Sequence, residues 1–346
     1  MELTETIMEL CAMSGPSGFE GAVADRVEEL LTPYTDEIRR DVMGSVIAVR
    51  RCGKENAKKL LLDAHMDEIG FIVTGAEEGF IRFQALGGVD PRMLPATAIR
   101  FMTEPPIFGA VSVMPVHVLK DGEVEKPTKI DDMVIDCGLT QEEAQRLLPP
   151  GTPAVYDTAP VMLGEKRISS KTQDDRSCLA AIIRAMELLK DEKLDIDVYV
   201  LASTQEEVGL RGAEPAAFSV RPDWGIAVDV GFGATPDCAD WRTQKLGDGP
   251  VICRGPNMNR TLTDLAIRAA EENGIRYQIS VEPGGDSGTN TAVIQTAREG
   301  VATALFSLPL RYMHTPVEVS DRDDAEDLAR LIAETVKLVS GGERDA

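Results

Sequence analysis

At 346 residues, with 43% hydrophobic and 27% charged side chains, the chain is long enough for two domains and a sizeable buried core. Its net charge of -22 repels nucleic acid and anionic lipid, which removes both as expected partners, and no apolar run approaches the roughly 18 residues that span a bilayer. The acidic start MELTETIMELC lacks the basic and apolar regions of a secretory signal, and six scattered cysteines without a C-x-x-C pair fit reduced, packed thiols, so a cytosolic protein is expected.

In chain order, the turn SGPSG at 14–18 leads into a helix over 20–33, where Val23, Val27, Leu30 and Leu31 recur at helical spacing. A strand VIAVR follows. After a charged turn, KLLLDAH ends in polar residues, as buried strands of α/β sheets do at their functional edge, and His65 sits there. From about 70 to 163 the texture changes to short β-rich pieces punctuated by Gly and Pro: GFIVTGA, FIRFQAL, TAIRFMT and IFGAVSVMPVHVLK, with one helix at TQEEAQRLL. Alternation then returns, with helix DDRSCLAAIIRAMELLKDEK, strands DIDVYVLASTQEE and WGIAVDV, helix RTLTDLAIRAAEENG and strand RYQISVE. Helix NTAVIQTAREG, strand VATALFSLPL and helix DDAEDLARLIAETVKLVSG complete it. The expected organisation is a small β-rich domain, 70–163, inserted into an α/β domain formed by 1–69 and 164–346.

Of only three histidines, two stand in clusters that resemble ligand sites: His65 in DAHMDEIG, two residues before Asp67, and His314 in LRYMHTPVE, just after a strand. Three acidic groups occupy comparable junctions: Asp174-Asp175 before a helix, Glu206-Glu207 after a strand, and Asp229 at the end of WGIAVDV. Singly, each has an ordinary reading as a helix-dipole partner or a solvated pair. Five such groups converging beyond the strand ends of an open sheet would instead form a metal cluster. Two neutral imidazoles, three carboxylates and a bridging hydroxide would balance two divalent ions, and that donor set suits zinc, cobalt or manganese better than calcium. Two ions about 3.5–4 Å apart can acidify a water and polarise a carbonyl, which is amide hydrolysis.

With these residues in place, the chain resembles the M42 family of metallo-aminopeptidases, the tetrahedral or glutamyl/leucyl group. The likeness rests on an ordered series: SGPSGFE, DAHMDEIGFIV, ALGGVDPRML, QDDRSCLAAI, STQEEVGLRGA, IAVDVG, KLGDGPVI and LPLRYMHTPVEV. It implies a zinc-exopeptidase-like mixed sheet flanked by helices, with the insert as a barrel-like oligomerisation domain. It implies two divalent ions per subunit, zinc or cobalt, with His65 and His314 on different ions, Asp174 rather than Asp175 bridging them, and Glu207 and Asp229 completing the shells. A hydroxide shared by the ions would attack, Glu206 would act as general base, and Asp67 would orient His65 through its other ring nitrogen. Short peptides are the implied substrates, and dimers building a dodecamer the implied assembly.

The sequence departs from relatives at KTQDDR and at Asn290, where relatives carry Asp; neither replaces a proposed ligand. His117 in the β-rich segment is expected to be structural or assembly-related. Three alternatives stay open on the residues alone. A two-metal carboxypeptidase or deacylase would need an arginine pocket for a carboxylate, for which Arg211, Arg254 and Arg311 are candidates without positions. A glycosidase would need carboxyls about 5–10 Å apart, which adjacent Glu206 and Glu207 serve poorly. A non-catalytic assembly protein would keep the fold without the reaction.

Overall fold

A computed structural model describes residues 2–112, 114–118, 129–236, 238, 242–284 and 288–341. Two helices come first, α1 (Leu3–Ala12) and α2 (Gly21–Leu31). In α2, Val23, Val27 and Leu31 are buried at the spacing the sequence displays, and α1 adds Leu3, Ile7 and Leu10 to the same core. Strands β1 (Glu37–Arg40), β2 (Val46–Arg50) and β3 (Lys59–His65) follow. β1, EIRR, has no apolar alternation to reveal it; it is a charged, largely exposed edge strand paired to β2.

Six short strands then close into a barrel: β4 (Gly70–Glu77), β5 (Phe80–Leu86), β6 (Ala98–Phe101), β7 (Ile107–Val111), β8 (Ile135–Asp136) and β9 (Pro153–Tyr156), ordered β4-β5-β8-β7-β6-β9. Their inward side chains make a separate core in which Phe71 meets Phe83 and Tyr156 edge-on, with ring centres 5.6 and 5.1 Å away. Helix α3 (Gln141–Leu147) packs on it, started by a reciprocal Thr140–Glu143 capping box. In the β-rich piece IFGAVSVMPVHVLK the strand stops at Val111, and Val116–Val118 forms a 3-10 turn behind Pro115, which has no amide hydrogen to donate to a ladder. Positions 113, 119 and 120 of that segment lie outside the described residues.

The chain continues through β10 (Val161–Leu163), β11 (Arg167–Ser170), α4 (Gln173–Leu189), β12 (Asp197–Ser203), α5 (Ala213–Val220), β13 (Trp224–Phe232) and β14 (Val251–Arg254). It ends with α6 (Arg260–Asn273), β15 (Gln278–Val281), α7 (Thr291–Thr296), β16 (Ala302–Leu310), β17 (Glu318–Asp321) and α8 (Arg322–Ser340). Eight strands form one mixed sheet in the order β1-β2-β12-β3-β13-β16-β14-β15, and β10, β11 and β17 form a small second sheet. The central strands β12, β3, β13 and β16 are mutually parallel. On β3, Leu60, Leu62 and Ala64 point into the core shared with α1, α2, α4, α6 and α8, while Leu61 points into the core shared with α5 and α7. Burial on both faces is why these strands read as continuous apolar runs.

The strand expected over DIDVYVLASTQEE ends at Ser203, because Gln205 adopts a left-handed conformation (φ 55°) that turns the acidic pair away from the ladder. The mixed sheet with its flanking helices and the closed barrel match the expected fold class. No helix among the described residues is long and apolar enough to cross a membrane, and all six cysteines are free.

Candidate active site

A cavity of about 410 Å³ lies over the C-terminal ends of the parallel strands, and His65, Asp174, Glu206, Glu207, Asp229 and His314 all line it. The fold delivers them separately: His65 closes β3, Glu206 and Glu207 follow β12, Asp229 lies on β13, His314 follows β16, and Asp174 opens α4. Asp174 presents one oxygen to each imidazole, with Oδ1 3.0 Å from His65 Nε2 and Oδ2 3.3 Å from His314 Nε2. Glu207 Oε1 is also 3.3 Å from His314 Nε2. Two groups offer ligand atoms within 4.8 Å of one another: His65, Asp174 and Glu207, and His65, Asp175 and Asp229. Asp175, which the resemblance sets aside, therefore belongs to one of these groups although it does not line the cavity, and its Oδ2 accepts the His65 backbone N–H at 3.2 Å.

Asp67 is fully buried beneath His65, with Oδ1 3.4 Å from Nδ1, and the Asp67 carbonyl oxygen is 3.2 Å from the same nitrogen. A carbonyl can only accept, so Nδ1 carries the hydrogen and, in a neutral ring, Nε2 keeps its lone pair toward Asp174. Asp67 also accepts the backbone N–H of Glu206 at 3.0 Å and of Glu207 at 3.2 Å, tying the acidic turn to the histidine.

The electrostatics are those of a crowded anionic pocket. Burial pushes Glu206 up to about 9, against the pull of His65 and with help from Asp229 and Glu207. Burial and the Asp174 charge push Asp229 up to about 8. Burial works against a proton on His314, but hydrogen bonds to Asp174 and Glu207 outweigh it and hold the ring at about 11. His65 is raised in the same way by Asp174 and Asp67, and Asp174, despite burial, is held low by the two histidines. The imidazolium protons supply positive charge that the carboxylates demand; divalent cations among the same nitrogen and oxygen atoms would supply it instead, so the donor set fits such ions.

Several supporting residues could not be assigned from sequence, although each lies in a motif noticed there. Ser17 of SGPSGFE donates to Asp67 Oδ2 at 2.6 Å. Glu20 accepts from Gln205 N at 3.1 Å and from Thr204 Oγ1, holding the turn that carries Glu206. Glu318 of HTPVE is buried and accepts from His314 N at 2.9 Å, Gln173 N at 2.7 Å and Asp174 N at 3.2 Å. The KTQ approach to Asp174 is thus part of a buried scaffold. Asn290 is also buried, donating to Ser203 Oγ at 2.9 Å, and does not line the cavity; residues 285–287 beside it lie outside the described set. Arg242 lines the cavity, whereas Arg211, Arg254 and Arg311 do not, and His117 is exposed in its turn.

One buried and one half-buried imidazole converge with carboxylates at the strand ends of a mixed α/β sheet, a donor set that suits a metal-dependent hydrolase. The chain belongs to the M42 glutamyl aminopeptidase family, whose profile matches residues 44–331. It is 37% identical to a lysyl aminopeptidase of Pyrococcus furiosus, over 96% of this chain and 97% of that one. Its fold superposes on the aminopeptidase APDkam598 of Desulfurococcus kamchatkensis with a TM-score of 0.89 and 34% identity, covering 97% and 94% of the two chains. The TET1 peptidase of Pyrococcus horikoshii, which can assemble into a tetrahedron or a large octahedral shell, matches with a TM-score of 0.83 and 31% identity over 96% and 98%. Family membership makes this protein a peptidase that hydrolyses N-terminal peptide bonds with the aid of metal.

Proposed function

We propose that the chain removes single residues from the N-termini of short peptides using two divalent ions, zinc or cobalt, held by His65, Asp174, Glu207, Asp229 and His314. The observation that carries this reading is Asp174, whose two oxygens face two different imidazoles in one cavity. When bound, such ions would supply an acidified attacking water and polarise the scissile carbonyl. Glu206, lining the cavity but outside both candidate ligand groups, takes the proton of the attacking water and passes it to the leaving amine. Asp67 holds the His65 ring in orientation through Nδ1. Residues 1–69 and 164–346 form the catalytic domain and 70–163 an oligomerisation domain. Dimers assembling to a dodecamer in the cytosol complete the proposal, which the shells of the TET1 relative support.

The test is hydrolysis of free and N-acetylated aminoacyl-anilides and short peptides by metal-stripped enzyme, before and after adding zinc or cobalt. Metal-restored cleavage confined to free N-termini is expected; cleavage of the acetylated set would point to a deacylase, and no cleavage to a scaffold. Glu206→Gln should keep both ions and lose about 100-fold or more in turnover, since general-base catalysis contributes about that much. Full turnover in that variant would remove Glu206 from its role.

A further inference from the structure

The connection between β5 and β6 carries two consecutive glycines, Gly87 and Gly88, and both reach the catalytic body. Gly88 lines the cavity, and its carbonyl oxygen is 2.9 Å from His314 Nδ1. A Cβ at Gly88 would stand 2.7 Å from that nitrogen and 3.0 Å from Cε1, so any side chain there displaces the ring. Gly87 is left-handed (φ 83°), and a Cβ on it would stand 2.8 Å from Ile69 Cγ2 and 3.2 Å from Glu207 Cβ. One glycine therefore backs onto His314 and the other onto Glu207.

Glu318 takes the His314 backbone N–H, and His314 itself holds a left-handed conformation (φ 63°). Its main chain is held by the catalytic body, while its ring is held at both ends, by Asp174 and Glu207 at Nε2 and by the barrel's Gly88 carbonyl at Nδ1. Because the Gly88 carbonyl can only accept, His314 Nδ1 carries a hydrogen; in the neutral ring Nε2 is then the lone-pair nitrogen, and it faces Asp174 and Glu207.

We infer that Gly87–Gly88, contributed by the inserted barrel, is a positioning element of the metal centre: Gly88 sets the tautomer and direction of His314, and the absence of side chains lets the turn seat against His314 and Glu207. The inference rests on the proposed role of His314 as a metal ligand. It makes the barrel a structural part of the active site, beyond any part in assembly.

The test is zinc binding by metal-free protein in competition with a chromophoric chelator, together with the visible spectrum of the cobalt-loaded form. Gly88→Ala should weaken one of two zinc sites by about 10–100-fold and alter the cobalt spectrum, as loss of a ligand's hydrogen-bond partner does elsewhere. A single glycine inserted after Leu86, which moves the carbonyl without adding a side chain, should do the same. Gly138→Ala is the barrel control, since a Cβ there meets nothing within 4 Å although the backbone is left-handed (φ 66°); it should bind as wild type. Wild-type affinity at both sites in Gly88→Ala and in the insertion variant, or equal weakening in Gly138→Ala, overturns the inference. Wild-type protein that takes up no divalent ion overturns the two-metal reading and this inference with it.

Discussion

Removing the carboxylate of Glu68 should destabilise the protein by an amount that depends on pH in a calculable way. Glu68 is buried beside two buried cations, with Oε2 2.6 Å from Lys171 Nζ and Oε1 3.5 Å from Arg176 Nη2. Arg176 also donates to the carbonyls of Leu10, Met13, Gly15 and Met66, whereas Lys171 has Glu68 as its only ion-pair partner among the described residues. Burial already lowers Lys171 below its ordinary 10.5, and the Glu68 charge opposes that fall. In Glu68→Gln the lysine faces Arg176 without a countercharge, and the expectation is that it folds neutral. Releasing its proton costs about 1.4 kcal/mol for each pH unit below 10.5, or about 4.8 kcal/mol at pH 7 and about 2 kcal/mol at pH 9. The sign follows from linkage: the unfolded variant binds the extra proton, so its stability rises with pH through this window. Urea unfolding of metal-free wild type and variant at both pH values measures the difference. Adding Lys171→Met to Glu68→Gln should recover most of the pH 7 loss, because the stranded cation is gone. Equal destabilisation at pH 7 and pH 9, or a double variant as weak as the single, would refute the reasoning.

Metal uptake should release protons, because His65 is raised and His314 sits at about 11 before ions arrive. Apparent affinity should therefore climb with pH by about tenfold per unit for each proton released, which calorimetry in buffers of different ionisation enthalpy reads directly; uptake without proton release between pH 6 and 8 would contradict it. Ser17→Ala removes the hydroxyl on Asp67 Oδ2 and leaves the Glu206 and Glu207 amides in place. A loss of about tenfold in metal affinity or turnover is expected, and wild-type values for both would show that Ser17 does not support the site. Asp174→Ala should lose both of the proposed ions, and two ions per chain by elemental analysis would end its proposed bridging role.

Much of the candidate site was legible because metal chemistry restricts residue types: two of three histidines stand at or just after strand ends, and acidic residues mark the other junctions. The buried strands were legible for a related reason, since VIAVR and KLLLDAH are apolar runs that only a doubly covered sheet explains. Elements without that signature were missed. EIRR of β1 is charged because it is an edge, VICR of β14 is only four residues long, β10 is a three-residue strand, and β11 finds its partner β17 only across 148 to 154 positions of sequence. Glu318 and Ser17 were visible as letters in motifs, but a carboxylate that binds backbone amides leaves no pattern that separates it from one that binds metal.

The sequence by itself determined much of the alternation of helices and strands, the family, and a list of candidate metal-holding side chains, because periodicity and ligand chemistry are local properties of residues. Only the tertiary structure decided which groups meet. Asp174 lies between His65 and His314, residues 109 and 140 positions away, and Gly88 reaches His314 across 226 positions. Those distances are set by strand order and by the docking of the barrel on the sheet, both products of long-range packing that no local window of sequence contains.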